Sequence, residues 1–237
     1  MEDMHYIQIA ILNKLLYKDN ATYTNLRPFD DLENNLFNFH LKKLISLGYV
    51  KKEDKSYALT NKGKESASII DNDSKKIQRQ GKILVAFCCV RENDGRKQVL
   101  LYKRLKHPFY NNQGFPSGKV KFGETINESV IRELKEETNL VITKKAELFL
   151  IKHVVVKNLS GEIIDDKYFY NFKIENPKGD LQSNEEGEFK WVDVQKIDDF
   201  VKKPFDSLEE FKMTYELLLS DSINIKIVEA SKYLENY

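Results

Sequence analysis

The chain has 237 residues, 41% hydrophobic and 32% charged, with a formal net charge of +1. This is a globular composition long enough for one large domain or two small ones, and its charge balance excludes a general electrostatic pull toward nucleic acid or membranes, leaving only local patches. The two cysteines, Cys88 and Cys89, are adjacent in an apolar run and read as core residues rather than a disulfide; with no spanning hydrophobic run and no signal peptide, a cytoplasmic protein is expected.

In chain order, residues 4 to 18 place Ile7, Ile11, Leu12, Leu15 and Leu16 on one stripe and predict a first helix. A short helical turn near Tyr23 to Leu26 ends before Pro28. Residues 32 to 50 predict a longer helix with Leu36, Phe39, Leu41, Leu44, Ile45 and Leu47 inward and Gly48 as its stop. Tyr49 to Thr60 then reads as two short strands around a charged turn, and another helix begins at Asn61.

That order over residues 4 to 70 resembles the winged helix-turn-helix domains. The resemblance implies that Asn35, Asn38, Lys42 and Lys43 of the third helix, with Lys52 of the wing, would face duplex DNA. The alternatives are a protein partner or a homodimer. Residues 1 to 76 hold 12 basic and 11 acidic side chains, weak for a phosphate-neutralising surface.

Residues 71 to 81, polar and without apolar period, read as a linker, which leaves 82 to 237 as the second domain. There the run ILVAFCCV predicts a strand buried on both faces, and Val99 to Lys106 a second, with Asn93 to Gly95 turning between them.

Next comes GKVKFGETINESVIRELKEETNL, Gly118 to Leu140. Between Asn127 and Thr138, Val130, Ile131 and Leu134 recur at helical spacing, while Glu133, Glu136 and Glu137 stand at i, i+3 and i+4 on one face. Like charges so spaced repel by roughly a few tenths of a kcal/mol per pair, so a cation is expected, and magnesium with oxygen ligands suits.

The stretch resembles the signature of the Nudix hydrolases, G-x5-E-x7-R-E-U-x-E-E-x-G-U with U a bulky aliphatic: Gly118, Glu124, Arg132, Glu133, Leu134, Glu136, Glu137 and Leu140 all match. Asn139 stands where that family has glycine, and asparagine also tolerates the left-handed helix stop.

Further on, Ala146 to Lys157, Lys167 to Ile174 and Phe189 to Val194 read as strands, Ser207 to Leu219 as an amphipathic helix with Leu208, Phe211, Tyr215 and Leu218 inward, and Ile223 to Tyr237 as a further helix. The resemblance implies an α/β/α sandwich with a mixed sheet, acting as a pyrophosphohydrolase on a nucleoside diphosphate linked to another group. It implies Mg2+ or Mn2+ held by Glu133, Glu136, Glu137 and Ser117, with Arg132 positioning a glutamate and the identity of the general base left open among the carboxylates. A further ligand, Glu185, is expected from the loop before Trp191, ahead of its neighbour Glu186. Arg104, Lys119 and Phe109 are candidates for binding the nucleotide-derived substrate. A second reading makes the chain a transcription regulator whose Nudix domain senses a nucleotide-sugar or related metabolite.

Overall fold

The computed structural model describes residues 4–71, 79–220 and 224–234. It divides into two compact units, Met1–Arg79 and Gln80–Tyr237. Most of the expected linker, residues 72 to 78, lies outside the described residues, as do 223 and 235 to 237 of the last expected helix.

The first unit runs α1 (Tyr6–Leu16), β1 (Ala21–Thr22), α2 (Tyr23–Leu26), α3 (Asn34–Ser46), β2 (Val50–Glu53), β3 (Ser56–Leu59) and α4 (Asn61–Ser68). Its three strands form a small antiparallel sheet in the order β1-β3-β2. Ile7, Ile11, Leu12 and Leu15 are buried as their spacing requires, together with Leu26, Phe37, Leu41 and Leu44. Two residues read as inward on α3 are exposed, Leu36 and Phe39. The buried stripe is Phe37, His40, Leu41 and Leu44, at i, i+3, i+4 and i+7: Leu41 and Leu44 face the core as expected, and Phe37 and His40 take the places expected of Leu36 and Phe39.

The second unit contains β4 (Lys82–Asn93), β5 (Arg96–Arg104), β6 (Gln113–Gly114), β7 (Ser117–Lys119), α5 (Ile126–Thr138), β8 (Glu147–Asn158), β9 (Ile163–Glu175), β10 (Gly187–Asp193), α6 (Ile197–Phe200), α7 (Leu208–Leu219) and β11 (Lys226–Leu234). The main sheet has the order β10-β5-β4-β9-β8-β11 and is mixed, since β4 runs parallel to β9 and β11 parallel to β8.

Alternation along β4 sends Val85, Phe87 and Cys89 to one face, where they pack with Val130 and Leu134 of α5. It sends Ala86, Cys88 and Val90 to the other, where Phe211 and Leu218 of α7 cover them. Both cysteines are free and buried, one on each face. Leu208, expected inward, opens α7 in an exposed position.

The expected final helix is instead strand β11, paired residue for residue with β8 from Lys226↔Leu150 to Leu234↔Asn158. Short apolar runs carry weak helical signals, and here pairing with the free edge of β8 decides the conformation.

One departure from regular pairing shapes the site. β4 and β5 pair only from Val90↔Val99 to Asn93↔Arg96. Beyond that they part, β4 taking β7 as its neighbour and β5 taking β6. A cleft opens between them.

Candidate active site

Helix α5 starts on a reciprocal cap. The Glu128 backbone N–H donates to Thr125 Oγ1 at 3.2 Å, and the Thr125 N–H donates to Glu128 Oε2 at 2.9 Å. It ends at Asn139, whose φ of 61° is the left-handed stop expected there. The asparagine side chain adds bonds that glycine lacks, donating from Nδ2 to the Asp180 carbonyl at 3.2 Å and accepting from Lys135 Nζ at 2.6 Å.

Arg132 organises the carboxylates. Its guanidinium forks onto Glu124, Nε to Oε1 at 2.6 Å and Nη2 to Oε2 at 2.7 Å. Nη1 reaches Glu133 Oε1 at 2.7 Å and Glu136 Oε2 at 2.9 Å, while Nη2 also donates to the Lys119 carbonyl at 2.9 Å. Glu124 accepts two more bonds, from Ser129 Oγ at 2.6 Å and the Lys121 N–H at 3.0 Å. These bonds, Arg132's first, hold the Glu124 carboxyl far below the usual range, and Glu124 in turn holds the guanidinium proton more firmly.

Glu133 behaves oppositely. Burial pushes its carboxyl up, Arg132 counteracts this, and the neighbouring charges of Glu137 and Glu136 push it up further.

The glycine of the box is required by packing. A Cβ on Gly118 would lie 1.9 Å from Cδ and Oε2 of Glu133, so the β7 backbone must be bare for that carboxylate to fit beneath it.

A cavity of about 440 Å³ adjoins this network. Its wall includes Ser117, Gly118, Lys119, Glu133 and Glu137, together with Arg104 and Phe109. Arg104 is fixed by a 2.7 Å bond from Nε to the Pro108 carbonyl. Glu137 accepts from Asn184 Nδ2 at 2.9 Å. Glu136 faces outward, 3.5 Å from Lys121 Nζ.

Glu185, the favoured extra ligand, is exposed and lies off the cavity wall, whereas Glu186 is on it and pairs with Lys106. The Asn184↔Gly187 bridge closes a tight turn that leaves Glu185 at its outer corner and returns Glu186 toward β5, where its carbonyl accepts from the Leu105 N–H at 2.8 Å.

The sequence reading ranked Glu186 second to Glu185 and missed Lys106 and Asn184, as well as charged residues elsewhere on the cavity wall: Lys152, Asp165, Lys167, Asp206 and Lys232. Strand parity could have flagged one of them. Lys152 shares its parity with Leu150, Val154 and Val156, all buried.

Among the described residues, no three Asp, Glu, His or Cys side chains form a closed metal cage. The donor set nevertheless suits magnesium, which is held by one or two carboxylates plus waters and substrate phosphates, and a cation would relieve the repulsion that Glu133 meets from Glu137 and Glu136 on top of its burial.

In the first unit, Asn35, Lys42 and Lys43 are exposed on α3, Asn38 is half-buried beside them, and Lys52 is exposed on β2 with its ammonium 5.9 Å from the Tyr57 ring centroid. Exposed Leu36 and Phe39 share α3 with them. Among the described residues, no helix is long and apolar enough to cross a membrane.

A sheet covered by helices on both faces, with an arginine-clamped carboxylate helix bordering a cleft between parted strands, sets the class to which the second unit belongs. Residues 82–213, more than half of the chain, match the NUDIX domain, and the chain belongs to the Nudix family. An ADP-ribose pyrophosphatase of Methanocaldococcus jannaschii is 40% identical over 89 residues, 37% of this chain and 52% of that enzyme, so the match spans about half its length. The uncharacterized Nudix hydrolase YvcI of Bacillus subtilis is 29% identical over 133 residues, 55% of this chain and 80% of that protein. Among solved structures, the NUDIX domain of Shewanella oneidensis NrtR, complexed with ADP ribose, superposes with a TM-score of 0.50 at 20% identity, covering 65% of this chain and 97% of that one. A MutT protein from Bacillus halodurans does so with a TM-score of 0.50 at 24% identity, covering 63% and 90%. At these identities the two structures speak for the fold alone.

Proposed function

We propose that the second unit is a metal-dependent pyrophosphohydrolase that cleaves the phosphoanhydride of a nucleoside diphosphate linked to another group. The observation that carries this is the joining of Glu124, Arg132, Glu133 and Glu136 into one bonded network whose Glu133 stands on the cavity wall. Glu133, Glu136 and Glu137, with Ser117, are the residues that would hold Mg2+ or Mn2+. When bound, the ion would polarise phosphoryl oxygens and lower the pKa of water.

The chain's own groups supply the rest. Arg132 orients Glu133 and Glu136. A cavity-wall carboxylate, Glu133 or Glu137, takes a proton from the attacking water as its oxygen bonds to phosphorus and the bridging P–O bond breaks. Arg104 and Lys119, on the cavity wall, would bind phosphate oxygens, and Phe109 would stack on the base or sugar.

The likeness to the archaeal ADP-ribose pyrophosphatase makes ADP-ribose the first substrate to test, with AMP and ribose 5-phosphate as products. With Mg2+ present, a screen of ADP-ribose, other nucleotide sugars, dinucleotides and nucleoside triphosphates should give hydrolysis of at least one. No hydrolysis anywhere in that panel would refute the reading.

For the first unit we propose a winged helix-turn-helix module. The order of its helices, the β2–β3 hairpin and the exposed Asn35, Lys42, Lys43 and Lys52 support duplex DNA as its partner. Exposed Leu36 and Phe39 on the same helix support a protein partner or a second copy of the chain. Metabolite-sensing regulation remains the second reading for the whole chain, and DNA binding by that module is the property on which it turns.

A further inference from the structure

The cavity's inner end is charged by design of the sheet. Across β11, β8, β9 and β4 the register forms three rows on one face: Lys232, Val156 and Asp165; Ala230, Val154, Lys167 and Lys82; Val228, Lys152, Phe169 and Leu84. All but the two small β11 side chains, Val228 and Ala230, line the cavity. Four lysines therefore project from strands into a space whose other residues in these rows, Asp165 apart, are apolar.

Two aspartates answer them. Asp165 pairs with Lys82 at 2.8 Å and with Lys167 at 2.6 Å. Asp206, just before α7, pairs with Lys152 at 2.8 Å and with Lys232.

Among the described residues, four ammonium groups against these two carboxylates leave an excess of two positive charges. Glu210, off the cavity wall and 3.6 Å from Lys152, reduces the excess to one. A network that only braced β11 against β8 would need no cation on β9 or β4, and Lys82 and Lys167 are not part of that brace. Lys167 is the most enclosed by like charges. Burial depresses its ammonium, Asp165 opposes this, and Lys82 and Lys232 push it down again. Its charge lies 5.2 Å from the centroid of Phe109, an aromatic already facing the cavity. Lys82 is half exposed, so the lobe opens to solvent.

We propose that this lobe, formed by Lys82, Lys152, Lys167 and Lys232, is a subsite for a phosphate monoester carried by the substrate away from its diphosphate. The charge of such a group, about −1.5 to −2 at neutral pH, is opposite in sign to the remaining excess, and its oxygens accept from several ammonium groups at once. The substrate class is then a nucleoside diphosphate derivative bearing an extra phosphate. This rests on the hydrolase reading for the diphosphate end only.

The test is calorimetric titration of the full chain in EDTA, so that binding is read without turnover. The probes are ADP-ribose, the same molecule with an added phosphate on the adenosine ribose, and that with the phosphate on the terminal ribose. Inorganic phosphate is added as a competitor. One phosphorylated probe should bind about tenfold or more tighter than ADP-ribose, the scale of one added charge-assisted contact. Excess inorganic phosphate should remove that gain.

Lys167→Met and Lys232→Met should each cut the gain severalfold and leave ADP-ribose affinity nearly unchanged. Each leaves its aspartate one lysine partner, and the half-exposed Lys82→Gln gives a third variant that does not disturb the core. Equal affinity for all three probes, no binding of any, or a gain that survives these substitutions would overturn the subsite. Hydrolysis with Mg2+ is scored separately. A phosphate-dependent gain without turnover keeps the subsite and removes the hydrolase reading, whereas turnover of ADP-ribose without the gain does the reverse.

Discussion

Gly118→Ala separates the packing role of the box glycine from backbone freedom. The new Cβ would fall 1.9 Å from Cδ and Oε2 of Glu133 and 2.4 Å from Cγ, and the backbone at Gly118 is not left-handed, so the overlap is the whole effect. The carboxylate is the movable partner. Swinging it aside forfeits its 2.7 Å bond to Arg132 Nη1, a charge-assisted contact on the order of 1.5–3 kcal/mol, partly offset by rehydration. A net loss of about 2 kcal/mol corresponds to a fall in Tm of roughly 4–8 °C for a unit of this size. Turnover should fall about a hundredfold, since an ångström of displacement in a positioned group has that scale of effect. The decisive comparison uses Glu133→Ala as background. With no side chain left to strike, Gly118→Ala should cost almost nothing in Tm there, while activity stays low. An undiminished Tm penalty in that background, or a single variant with wild-type turnover, would refute the packing argument.

Chelation by EDTA should abolish hydrolysis, with Mg2+ or Mn2+ restoring it, and Glu136→Gln should lower turnover by orders of magnitude with little change in far-UV circular dichroism. Asn139→Gly should shift stability by no more than about 1 kcal/mol, because glycine keeps the left-handed stop but loses the contacts to Asp180 and Lys135, and a rate assay should show near-normal catalysis. For Asp206, burial favours the neutral acid, but Lys232 and Lys152 outweigh it and the carboxyl sits below its ordinary value. Its contribution is therefore full above the unfolded pKa near 4 and is lost as pH falls through the folded value, so denaturant melts of Asp206→Asn should show a smaller acid-side loss than the parent chain. If the first unit binds duplex DNA, fluorescence anisotropy should give log affinity falling with log salt by about 0.9 per phosphate neutralised, and replacing Lys42 and Lys43 by alanine should flatten the slope by up to about two.

What was legible in the sequence was what spacing dictates. The period of Val130 and Leu134 placed the carboxylate face of α5, and Asn139 was readable as a left-handed stop because few residues adopt that angle. Phase was less secure. On α3, Leu36 is as apolar as Phe37, and only the tertiary packing selects which of the two is buried. The final strand was hidden for a related reason: Lys226–Leu234 has no pattern that outweighs pairing with β8, a contact made some 75 residues away in sequence. Glu186 was masked by Glu185, since adjacent loop residues differ only in which side of the Asn184–Gly187 turn they occupy.

The parting of β4 and β5 explains why the cavity has two chemically distinct ends. An unbroken sheet would separate the α5 face, which carries Glu133, from the α7 face, which carries Lys152 and Lys167. Because β4 exchanges β5 for β7 beyond Val90, the cavity wall includes Gly118 and Glu133 on one side and Leu84 and Ala86 on the other. Glu133 and Glu137 end up at one pole, and the lysine rows, with Asp165 and Asp206 among them, at the other. On the proposed reading the two ends serve one substrate: the pole of Glu133 and Glu137, once it held its cation, would take the diphosphate, and the lysine rows would attract a phosphate carried away from it.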